Sequence, residues 1–132
     1  MASKKTVKGM NRKTLFSFVE SVYGSRPEYL WKSSPEAAVL RHKENRKWFA
    51  IVMRVPACKI GLEGSKSVDI VNVKCDPLMV GSLLMCSGIF PAYHMNKENW
   101  ISILLGSSSD EEQIISLIEN SYEITLNKAK AK

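Results

Sequence analysis

The sequence predicts an α+β domain in two layers, an antiparallel sheet of about five strands packed against helices. The expected order is α, three to four strands, α, β, α. Two observations carry this. Strand-like segments follow one another with no helix between them at Ala37–His42, Trp48–Val55, Cys58–Leu62 and Val68–Lys74, and runs of adjacent strands imply antiparallel pairing with helices segregated to a face. The chain has 132 residues, 45% hydrophobic and 24% charged, which is enough for one core of ordinary globular composition.

Residues 1–10 read as a flexible basic arm, 11–127 as one domain and 128–132 as a basic tail. The first helix runs from Asn11 to Tyr23, with Leu15, Val19 and Val22 at helical spacing, Asn11 as N-cap and Gly24 as its stop. Lys43-Glu44-Asn45-Arg46-Lys47 is a polar turn of hairpin length between the first two strands. Pro56 ends the second strand, because proline cannot donate to a ladder. Val68 to Lys74 alternates, with Val68, Ile70, Asn72 and Lys74 on one face. Asp76 and Pro77 open a second helix that runs to about Ser87 before Gly88. Trp100 to Leu105 is the last strand. Ser109 with Glu112 forms a capping box for a third helix, whose buried stripe is Ile114, Ile118 and Tyr122.

Several function classes are excluded or disfavoured. No apolar run approaches the roughly 18–20 residues of a membrane span, and the basic start lacks the apolar region of a secretory signal. The three cysteines, Cys58, Cys75 and Cys86, form neither a C-x-x-C pair nor a zinc spacing. Reduced thiols in a cytoplasmic protein account for them. Phosphate loops, dinucleotide fingerprints, H-E-x-x-H and nucleophile elbows are missing. No catalytic residue, metal site or cofactor is expected.

The net charge of +6 belongs mostly to the tails. Residues 1–13 and 127–132 hold eight cations and no acid, leaving 11 cations against 13 acids in residues 14–126. Within that core the charge is polarised. Six cations and one acid lie between Arg41 and Lys59, and five acids and no cation between Asp110 and Glu123.

The candidate binding residues follow from this pattern. A hairpin tipped by Lys43, Arg46 and Lys47 can follow a phosphate backbone as a wing, and Lys59 and Lys66 supply a second tip. Solvated turns explain the same cations. Lys74 ends its strand on an apolar face, where a lysine snorkels to water. His94 is a candidate general base or anion donor, although a lone histidine beside an aromatic more often has a structural role. Asn96 caps the turn Lys97-Glu98-Asn99, and Tyr93 and Trp100 read as packing residues.

Four blocks then carry a family resemblance: Lys47-Trp48-Phe49-Ala50, Val73-Lys74-Cys75-Asp76-Pro77, Pro91-Ala92-Tyr93-His94-Met95-Asn96-Lys97-Glu98-Asn99-Trp100 and Ser121-Tyr122-Glu123. In this order they resemble the MmcQ/YjbR-like family across nearly all of residues 12–126. Ala92 stands where the family often has glycine, so a left-handed backbone is not expected there. The resemblance implies a CyaY-like, secretion-chaperone-like α+β fold, with a curved antiparallel sheet packed on helices, and a small bacterial cytoplasmic protein. It also implies DNA binding through a "double wing" of hairpins, with Lys74, His94, Asn96 and Lys97 among the matching positions.

The leading expectation is a monomeric, non-enzymatic protein that binds double-stranded DNA and no membrane. A protein-interaction module is the second reading, and a small-anion site at Lys74 and His94 the third.

Overall fold

Asn11 fixes the start of α1 (Arg12–Tyr23) through a capping box. Its side-chain oxygen accepts from the Thr14 N–H, and the Thr14 hydroxyl accepts from the Asn11 N–H. Gly24, with φ of 71°, ends the helix in the left-handed conformation and returns its N–H to the Glu20 carbonyl. The computed structural model describes residues 9–106 and 109–126. After α1 come β1 (Ala38–Arg41), β2 (Trp48–Pro56), β3 (Ser67–Lys74), α2 (Pro77–Leu83), β4 (Ile89–Pro91), β5 (Trp100–Leu104) and α3 (Glu111–Leu126). The basic tail and residues 1–8 of the arm lie outside the described residues.

The five strands form an open sheet in the order β1-β2-β3-β5-β4, antiparallel at every pairing. In the centre, Val71 lies opposite Val52 and Ile103, and Val73 opposite Ala50 and Ile101. This face packs against Leu15 and Val19 of α1 and Ile114 and Ile118 of α3, all fully buried. Each such side chain contributes on the order of 1.5–3 kcal/mol of hydrophobic stabilisation. The opposite face carries a smaller cluster of Val55, Ile60 and Ile70, with Met53, Leu62, Phe90 and Tyr93 packed around it.

An aromatic node joins α1, α3 and β2. Tyr23 and Tyr122 stack at 3.8 Å and 14°, and Phe49 meets both edge-on. Burial, reinforced by Glu119, pushes the Tyr23 hydroxyl up to about 12, so it stays neutral.

The two-layer α+β class holds, but one strand is exchanged for another. Cys58 to Leu62 is not a strand. Residues Ala57–Ile60 make a 3₁₀ turn, stopped by Gly61 at φ of 97°. Pro56 ends the ladder, and Ala57 takes the Lys66 carbonyl and gives its own to Leu62, which folds the segment onto itself. The fifth strand is β4, which precedes the Tyr93–Trp100 segment, and it is only three residues long and ends in Pro91.

Helix α2 stops at Leu83. Its last turn tightens into bonds from Met85 to Ser82 and from Cys86 to Leu83. At α3 the expected capping box is replaced. Asp110 accepts from the Glu112 and Gln113 N–H groups, while the Ser109 hydroxyl donates to Gly106 and accepts from the Met10 N–H. Met10 is thereby held in the core, 1% exposed, and bridges to Gly106.

Candidate functional site

Strand β2 decides which candidate residues meet. The turn with Lys43, Arg46 and Lys47 precedes it and the segment with Lys59 and Lys66 follows it. The eight steps between its nine residues, at ~3.4 Å each, separate the two tips by roughly 27 Å. The structure therefore does not bring the two sets of cations together. The β4–β5 connection falls at the first tip, because Trp100 pairs with Lys74 and Val73 with Ala50. Lys43, Arg46, Lys47, Lys74, His94, Asn96 and Lys97 thus share the hairpin end of the sheet, and Lys59 and Lys66 sit exposed at the other.

The turn is a docked structure. Asn45 donates its side-chain amide to the Thr125 carbonyl at 3.1 Å, and its side-chain oxygen accepts from the Lys47 N–H. His42, 1% exposed, lies 2.6 Å from the Thr125 hydroxyl through Nε2. Thr125 already donates to the Ser121 carbonyl, so its hydroxyl accepts from His42 Nε2–H. Burial lowers the His42 pKa below its usual value. Arg46 occupies the left-handed region, φ 65°, and stands 3.8 Å from Glu28. Glu28 also takes Arg41 at 3.1 Å. The Lys43 side chain passes over Gly24, where an added Cβ would meet its Nζ at 3.3 Å. The cation thus rests near the negative end of the α1 dipole.

A buried circuit positions the second segment. Asn72 and Ser102, both 0% exposed, hydrogen-bond across β3 and β5. Asn72 donates to the Tyr93 carbonyl at 3.1 Å, and the Tyr93 N–H donates to Ser102 at 2.9 Å. Held at Tyr93, the chain turns at His94 with φ 60°. Ala92 is not left-handed, as its side chain predicts; the strain falls two residues later. Asn96 caps as expected, accepting from the Glu98 N–H at 2.8 Å. Lys97 is exposed, and Lys74 is half-buried, with its N–H bonded to Ser121.

His94 also lines a cleft on the face away from the helices. Segment 31–37, with Trp31, Ser33 and Ser34, forms one wall, and Tyr93, His94 and Met95 the other. Ile51, Met53 and Val55 of β2 form the floor. Two adjoining concavities of about 240 and 220 Å³ make up this cleft. Lys74 is not part of the lining, so no pocket joins it to His94. Trp31 and Trp48 meet at the hairpin end at 5.9 Å and 87°. Sequence reasoning missed Asn72, Ser102 and the 31–37 wall. Two polar residues on otherwise apolar strand faces signalled the first pair.

Among the described residues no cluster of His, Cys, Asp and Glu could hold a metal ion, and no helix is long and apolar enough to cross a membrane.

The sheet order, the Lys74-x-x-Pro77 step and the Tyr93–Trp100 segment define one class of α+β domain. The YjbR family model matches residues 20–124, and the chain belongs to that family. It is 41% identical over 116 residues to the uncharacterised protein YyaQ of Bacillus subtilis (strain 168), covering 88% of this chain and 98% of YyaQ. A crystal structure of a Pseudomonas syringae protein superposes with a TM-score of 0.85 at 45% identity, covering 88% of this chain and 99% of that one. Deinococcus radiodurans DR2400, at 19% identity and a TM-score of 0.68 over 91% and 81% of the two chains, shares the fold.

Proposed function

We propose that this chain is a non-enzymatic, monomeric nucleic-acid-binding protein of the cytoplasm that grips the phosphate backbone at the hairpin end of its sheet. One observation supports the reading above the others. Cations far apart in sequence, Lys43, Arg46 and Lys47 on one turn and Lys97 on another, come to the same end of β2, β3 and β5. The two non-glycine residues with left-handed backbone among the described residues, Arg46 and His94, are also there. Such strain is kept where the surroundings over-determine it, commonly at functional sites. Lys59 and Lys66, at the far end, make no contact in this reading.

Anisotropy of a labelled DNA duplex across a salt series tests it. Binding weakens linearly with log salt, and Lys47→Ala and Lys97→Ala each lower the slope by about one. Lys59→Ala leaves it unchanged. No duplex binding at low salt, or binding indifferent to salt, overturns the proposal.

A protein-partner reading draws on one separate feature. Leu78, Met79 and Met85 around α2 are 90%, 47% and 87% exposed, and clustered exposed apolar side chains mark interaction sites. Stoichiometric, nuclease-resistant recovery of one protein, lost in Leu78→Ser/Met85→Ser, would favour it.

A further inference from the structure

We infer that the cleft between segments 31–37 and 93–95 takes a single nucleobase, presented by a single-stranded nucleic acid or by a free nucleotide. The inference rests on the phosphate reading only for how the base is delivered.

Size is the first argument. A volume of about 240 Å³ at the tryptophan end falls below the roughly 300–1,000 Å³ of pockets for drug-sized ligands. It suits one planar ring system. The lining is the second. Trp31 and Trp48 stand perpendicular, giving a flat ring an aromatic surface on which to stack. Met53 and Met95 supply soft, adaptable contacts. Around them Ser33, Ser34 and His94 offer donors and acceptors for the polar edge of a base.

Position is the third argument. Trp48 follows Lys47 directly, so a base in the cleft leaves its phosphate beside the hairpin cations. His94 does not drift over the opening, because Asn72 and Ser102 fix the preceding peptide from both sides. Paired indoles also suit quaternary ammonium ions. Here Arg41 already lies 6.0 Å from the Trp48 ring centroid, and Arg54 lines the adjoining concavity. Arg41 pairs with Glu28, Arg54 with Asp69, and Glu36 also lines the adjoining concavity, so the choice between a base and a cation falls to titration with tetramethylammonium.

The test compares a labelled single-stranded oligonucleotide with an abasic strand of equal length and charge, using the full chain at fixed salt. The base-bearing strand should bind at least ten-fold more tightly. Trp31→Ala should weaken that binding by about ten- to a hundred-fold, the range of one lost stacking contact, and leave the abasic strand unaffected. His94→Gly, which relaxes the backbone rather than straining it, should lower only the base-dependent part.

Adenosine and AMP titrations, read by tryptophan fluorescence, separate the two sources. Saturation by either identifies free nucleotide as a ligand, whereas a response to the base-bearing strand alone identifies the strand. Adenosine quenching in a protein that binds no duplex would leave the cleft standing and sink the phosphate reading. Equal affinity for the abasic and base-bearing strands, without quenching by adenosine or AMP, overturns the inference. So does a cleft that responds to tetramethylammonium and not to bases.

Discussion

His42 shows how one buried ring ties a surface turn to a helix. Its Nε2–H is given to Thr125, its Nδ1 has no partner, and its ring lies 4.1 Å from that of Tyr122. Burial therefore lowers its pKa, and the neutral ring is the folded form. In the unfolded chain the ring takes up a proton near pH 6.5. The His42 contribution is complete above that value and declines as pH falls below it, towards the lowered folded pKa. Urea midpoints measured between pH 7.5 and 5 should fall, and His42→Phe should flatten the curve in that window.

Arg46 makes the opposite kind of statement. A left-handed backbone costs a residue with a side chain about 1–2 kcal/mol, and an exposed pair with Glu28 at 3.8 Å returns little of it. Arg46→Gly should raise stability by roughly 0.5–1 kcal/mol after the entropy of the glycine chain is allowed for. The same change should weaken DNA binding. A stability loss in denaturant titration would show that the guanidinium holds the turn together.

At the scale of elements, local chemistry was legible and long-range choices were not. Asn11, Thr14 and Gly24 act within one helical turn of where they sit, and the α1 limits followed from them. Asp76 and Pro77 likewise open α2 as read. The third helix misled, because Ser109 has a second suitor: the Met10 backbone, 99 residues away in sequence. Asp110 inherits the cap. Asp110→Ala should cost about 1 kcal/mol in thermal unfolding, within the range for lost N-caps, and Glu112→Ala should stay within about 0.5 kcal/mol. Cys58, Ile60 and Leu62 mimic a strand by alternation, yet the ladder beyond Pro56 had already closed on Lys66. Strand β4 gives almost no signal, being a three-residue edge.

For the whole molecule, the fold class was readable because hydrophobic pattern and strand adjacency are global averages that survive errors at single boundaries. The site was readable only by residue type. Lys43, Arg46, Lys47, His94, Asn96 and Lys97 were each identifiable as candidates, but their grouping depends on register. The pairing of Lys74 with Trp100 puts the β4–β5 connection beside the β1–β2 turn, and nine residues of β2 put Lys59 and Lys66 away from both. The cleft was hidden for the same reason. Its walls come from residues 31–37 and 93–95, whose proximity no local pattern records.

The amide of Asn45 on the Thr125 carbonyl has a further consequence. It holds the end of α3, at Thr125 and Leu126, against the turn that carries the hairpin cations. The sequence beyond α3 carries three further cations, Lys128, Lys130 and Lys132. In the proposed complex the two groups behave as a tethered pair of weak ligands. Once one phosphate is held, the next meets the second group at a high effective concentration. Ending the chain after Leu126 should therefore weaken DNA binding more than alanine at any single turn lysine, and lower the salt slope by up to about three. Asn45→Ala, with every lysine retained, should reproduce part of the affinity loss at an unchanged slope, because it loosens the tether without removing a charge.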